Sequence, residues 1–85
     1  MSTNEEAFGK SITIYPNPVE TDLYIRLETG NYETAIYTIR GQLVIKNNIE
    51  GNNQMNVKSL AKGIYILKIK DIASNKIFQK KFIKQ

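Results

Sequence analysis

Glu20 and Asp22 are the only carboxylates beyond the first ten residues spaced closely enough to act together, and Asn17 stands just ahead of them. Carboxylate and carboxamide oxygens of this kind are calcium ligands by type, but acids beside a proline-rich turn are more often ordinary solvated surface, and Glu20 and Asp22 read as such. Four serines, Ser2, Ser11, Ser59 and Ser74, could act as nucleophiles only beside an activating base. The chain has no histidine and no cysteine, so the commonest general base, the thiolate nucleophile and the usual transition-metal ligands are all missing. The sequence therefore predicts no catalytic residue, no metal and no cofactor. One more constellation has chemical potential: Phe78 and Phe82 interleave with Lys80, Lys81 and Lys84, as on surfaces that stack bases along a cationic track. In a strand, however, residues four apart share a face. Two phenylalanines at that spacing read as core with solvated lysines beside them, and nucleic acid is not an expected partner.

The elements that must carry these residues are strands, and the composition bounds how many. At 85 residues with 41% apolar content, there is room for one domain with a compact core. Without cysteine no disulfide can support that core, so sheet packing must hold it. No apolar run reaches the roughly 18 residues of a membrane-spanning helix. The start, Met1-Ser2-Thr3-Asn4-Glu5-Glu6, is polar and acidic, unlike a secretory signal. Charge is divided unevenly. Residues 1–57 carry four basic side chains against seven acids, whereas residues 58–85 carry eight lysines against one acid, Asp71. The basic end reads either as a solvated face that discourages edge pairing or as a surface that steers acidic partners.

Period-two alternation predicts seven short strands, over residues 11–15, 21–28, 32–39, 42–47, 54–57, 63–70 and 77–84. Leu23, Ile25 and Leu27 mark one inward face, as do Met55 with Val57 and Tyr65 with Leu67 and Ile69. In the third strand Ala35, Tyr37 and Ile39 are expected in phase, with Ile36 on the other face. Prolines 16 and 18 lack amide donors and force a corner or edge. Gly41 closes a hairpin, Asn47-Asn48 opens a turn-rich segment, and residues 58–62 suggest one helical turn ended by Gly63. Residues 1–10 read as a flexible leader or linker, and residues 11–85 as the domain. Strands this short and regularly spaced predict an all-β antiparallel sandwich used for recognition.

Several pieces then line up in order: Tyr15-Pro16-Asn17-Pro18, a strand opening Asp22-Leu23, Ile39-Arg40-Gly41-Gln42-Leu43-Val44, Leu60-x-x-Gly63-x-Tyr65, and Lys80-Lys81-Phe82-Ile83-Lys84. Together they resemble the C-terminal sorting domain (type A) of the type IX, or Por, secretion system, over about residues 12–85. The resemblance implies a seven-stranded immunoglobulin-like sandwich with no catalytic role. It implies a cargo protein fused ahead of the domain, which makes this chain the tail of a longer precursor and Met1 an introduced start. In a Gram-negative bacterium such a precursor crosses the periplasm and engages an outer-membrane translocon and its shuttle proteins. A sorting cysteine protease cuts the linker, before about Ser11 here, and the cargo is attached at the cell surface or released. On the same resemblance Tyr15, Pro16, Asn17, Pro18, Gly41, Leu60, Gly63 and Tyr65 shape the fold, while Lys80, Lys81, Phe82, Ile83 and Lys84 are read by the export machinery. Gln85 departs from the pattern, since members often finish on a basic residue. The alternative is an accessory adhesion or carbohydrate-binding sandwich. Its sugar platform would fall to Tyr24 and Tyr32, there being no tryptophan.

Overall fold

The alternating runs become seven strands in the computed structural model, which describes residues 12–85. The proposed leader, and the boundary at residue 11, lie outside those residues. The strands are β1 (Thr13–Tyr15), β2 (Asp22–Arg26), β3 (Asn31–Thr38), β4 (Leu43–Glu50), β5 (Asn53–Asn56), β6 (Gly63–Asp71) and β7 (Ile77–Lys84). They form two antiparallel sheets, one ordered β1-β2-β5 and the other β4-β3-β6-β7. The fold is thus the all-β, seven-stranded antiparallel sandwich that the alternation predicts.

Each sheet turns one apolar face inward. Leu23 and Ile25 from β2, with Met55 and Val57 from β5 and its exit, meet Ile36 of β3, Leu67 and Ile69 of β6 and Phe82 of β7. Full burial of such a side chain contributes roughly 1.5–3 kcal/mol. With no disulfide in the chain, this packing is the main stabilising term.

Three local expectations are corrected. In β3 the inward residues are Tyr32, Thr34 and Ile36, while Ala35 and Tyr37 alternate to the other face, where Ala35 is still only 9% exposed, and Ile39 is 64% exposed. Counting apolar residues picks the wrong phase because Tyr32 and Thr34 satisfy their polar atoms locally: the Tyr32 hydroxyl donates to the Glu28 carbonyl (3.0 Å) and the Thr34 hydroxyl to the Asn47 carbonyl (2.9 Å). The Asn47-Asn48 pair does not turn. It lies within β4, which runs on to bury Ile49 opposite Tyr32, and the reversal comes at Gly51 (φ 64°). Nor do residues 58–62 form a helix. They make a tight turn with the Leu60 amide donating to the Val57 carbonyl at 3.0 Å. The Gly41 hairpin is as expected. Its φ of 88° suits glycine, and the Gly41 amide closes the turn on the Thr38 carbonyl at 2.9 Å.

Candidate recognition surface

The terminal strand is held along its whole length by β6, in unbroken register from Gly63 opposite Lys84 to Lys70 opposite Ile77. Burial then divides its five candidate residues, and Lys80, although in phase with Phe82 and Lys84, is exposed. Phe82 is fully buried, and its ring stacks on Tyr65 with centroids 5.8 Å apart. Tyr65 in turn donates its hydroxyl to the Ala61 carbonyl (2.7 Å), and half-buried Leu60 packs against the core cluster to which both rings belong. Tyr65 of the Leu60-x-x-Gly63-x-Tyr65 motif therefore provides the ring on which Phe82 sits. Lys84 is only 7% exposed, its ammonium donating to the Gln85 carbonyl at 2.8 Å. Lys80, Lys81 and Ile83 are the members of the set that reach solvent.

The corner at residues 15–18 clamps the far end of the same strand. Both X–Pro bonds there are cis. Between the prolines, Asn17 offers its side-chain oxygen to the Ile83 amide at 2.9 Å. Val19, fully buried, donates its amide to the Ile83 carbonyl (2.8 Å) and accepts from the Gln85 amide (2.8 Å). This makes a one-residue parallel bridge opposite Lys84. The two sequence motifs thus meet, 66 residues apart along the chain. Nothing in the sequence alone pairs them, although an amide side chain wedged between two residues lacking N–H groups is free to seek a distant donor.

Ile83 directs both its amide and its carbonyl away from β6, toward Asn17 and Val19. Backbone groups alternate sides along a strand, so those of Lys81, Gln79 and Ile77 point the same way. None of them has a strand partner among the described residues, because β7 is the edge of its sheet. The exposed lysines consequently flank an open backbone ladder.

On the other sheet, Tyr15 and Tyr24 stand side by side on the outer face, rings stacked with centroids 5.5 Å apart, 42% and 38% exposed. With Arg26, Asn52, Asn53 and Gln54 they line a shallow depression. Tyr32 is not part of any such platform. It is core, and its phenol ionises above the ordinary tyrosine range because burial, and then the nearby Asp71 and Glu28 carboxylates, disfavour the phenolate. Glu20 is exposed and Asp22 half-buried at the start of β2, while the Asn17 side-chain oxygen already accepts from Ile83. No cluster of three or more histidine, cysteine or acidic side chains occurs among the described residues. No helix among them is long and apolar enough to cross a membrane.

The sequence profile of a family described as the secretion system C-terminal sorting domain matches residues 13–85. No curated protein matches the sequence. Among solved structures, the chain is similar to part of PorZ, described as an essential bacterial surface component of the type IX secretion system of Porphyromonas gingivalis. The two share 19% identity with a TM-score of 0.77, and the match covers 99% of this chain and 13% of that one. At that identity the likeness is one of fold, and this chain spans about an eighth of the PorZ chain's length.

Proposed function

Since this chain belongs to the family of type IX secretion C-terminal sorting domains, we propose that it carries a cargo protein fused ahead of it across the outer membrane and is recognised through β7. The cargo would reach the cell surface or medium by way of the periplasm. The translocon and its shuttle proteins are the partners on this reading, and a cysteine protease severs the linker. The domain acts as a label, with no chemistry of its own. The observation carrying this reading is the division of labour within the terminal strand. Phe82 and Lys84 anchor it while Lys80, Lys81 and Ile83 stay available beside an unpaired backbone edge. An edge of that kind supports recognition by strand addition, and the lysines favour an acidic partner. The sandwich is read as immunoglobulin-like, a view supported by its strand order and by the Tyr65 hydroxyl reaching back to Ala61.

The test is a secreted reporter fused to the domain in a bacterium that has the system. Lys80→Glu with Lys81→Glu touches only exposed side chains and should leave the reporter in the periplasm. Export of that variant at the unmodified rate would refute recognition through β7. The stacked Tyr15–Tyr24 pair above Arg26 and Gln54 favours a second reading, a carbohydrate-binding sandwich. Specific binding of the isolated domain on a glycan array, lost in Tyr24→Ala, would support it.

A further inference from the structure

The outer face of the four-stranded sheet departs from the usual pattern of one packed side and one polar side. In register across the strands, Leu43, Tyr37 and Ile66 stand in one row, with Ile64 and Ile83 in an adjoining row. Leu43 is 47% exposed, Ile64 43% and Ile83 44%, and Tyr37 and Ile66 are half-buried. Single exposed apolar residues are ordinary. Five in adjoining rows that cross all four strands form a contiguous patch, which is characteristic of a binding surface.

The rest of the face is cationic. Lys81 ends the Leu43–Tyr37–Ile66 row, and the rows beyond carry Lys46, Lys68 and Lys70 against two acids, Glu33 and, at the far end, Glu50. Ala35, the small residue between Lys46 and Lys68, leaves a dip bordered by Tyr37 and these lysines. Apolar rows beside predominantly positive charges are the layout of an interface with a dry middle and a charged rim. None of these side chains belongs to the core cluster, which lies on the opposite face.

We propose that this face docks a partner protein whose contact surface is apolar at its centre and carries carboxylates opposite Lys68 and Lys81. The label is then a folded surface drawn from β4, β3, β6 and β7, not the linear tail alone. A second copy of the chain is a poor occupant, because it would bring four lysines and two acids against the same set, a net positive face against another, and like charges across an interface oppose association. The inference rests on the sorting function proposed above and specifies how its partner engages.

The experiment compares full-length reporter fusions. Ile64→Thr with Ile83→Thr keeps β-branched residues on the strands, and Lys68→Glu with Lys81→Glu inverts the rim. Each should lower the exported fraction about tenfold, as loss of central interface residues does. Lys58→Glu, an equal charge inversion in the exposed turn after β5, should not change it. Circular dichroism of each purified chain checks folding. If either face variant misfolds, the single change Lys68→Glu decides the question in its place. Face variants exported like the parent would overturn the inference while leaving the sorting function intact. Export of a reporter lacking the entire domain would overturn both. Sedimentation showing a dimer that Ile64→Thr dissolves, or binding to phosphatidylglycerol vesicles lost in Lys68→Glu, would assign the face to a second copy or a bilayer and equally overturn it.

Discussion

Tyr32 shows how one side chain can reverse the apparent pattern of a strand. Its ring fills the core while its hydroxyl donates to the Glu28 carbonyl, so a residue that reads as a surface aromatic in the sequence is inside. Ionising it in place is unfavourable, because its surroundings are apolar and Asp71 and Glu28 are near. The folded state therefore keeps this proton at pH values where the unfolded chain, ionising near the ordinary value of 10.0, has begun to release it. Its contribution is whole below that value and is lost as pH rises toward the raised one. Tyr32→Phe should remove this alkaline loss while costing about 1 kcal/mol at neutral pH through the missing hydrogen bond. Urea midpoints for parent and variant at pH 8 and above pH 10 provide the check. An equal alkaline fall in both chains would contradict the assignment.

At the scale of the element, β7 is an anchor and, in the function proposed above, also the label, and this governs how it can be tested. Phe82 lies at 0% exposure against Tyr65, so Phe82→Ala should destabilise the domain by roughly 3–5 kcal/mol. For a domain of this size that is a large share of the total stability. A thermal midpoint lowered by only a few degrees would mean that the Phe82 seat relaxes around the gap. Removing the last few residues would have the same structural effect, so failed export of a truncation cannot separate loss of the label from loss of the fold. Substitutions at Lys80 and Lys81 can. The same duality makes the outer apolar rows hard to see in advance. Across Ile64-Tyr65-Ile66-Leu67 both phases of β6 are apolar. Runs of that kind, here and at Leu43-Val44-Ile45, are the signal in the sequence of an outer face with apolar side chains.

For the molecule as a whole, the clamp at Asn17 and Val19 closes one end of the sandwich. It ties the β1–β2 connection of the three-stranded sheet to the last strand of the four-stranded one. Asn17→Ala leaves the Ile83 amide without its acceptor and should lower stability by about 1 kcal/mol. Native-state hydrogen exchange should find the loosening concentrated at the Val19, Ile83 and Gln85 amides. Uniform acceleration across β6 and β7 instead would show that the clamp supports global stability and not a local closure. Strand count, the hairpin at Gly41, the inward faces of β2, β5 and β6 and the bounds of β7 were legible because each follows from local alternation and turn chemistry. The meeting of the corner with the chain's end was not. It depends on a hydrogen bond between residues that share no local pattern.

By itself the sequence determined the class of fold, the absence of histidine and cysteine chemistry, and the family whose motifs run from Tyr15 to Lys84. Such properties reside in composition, period and order. Only the tertiary structure decided that Lys84 is buried while Lys80 and Lys81 are exposed, that Tyr32 is core while Tyr15 is surface, and that apolar rows from four strands share one outer face. The reason is physical. Period two assigns residues to opposite sides of a strand, but which side meets the other sheet, and which strand lies at the edge, is set by pairing between segments far apart in the chain.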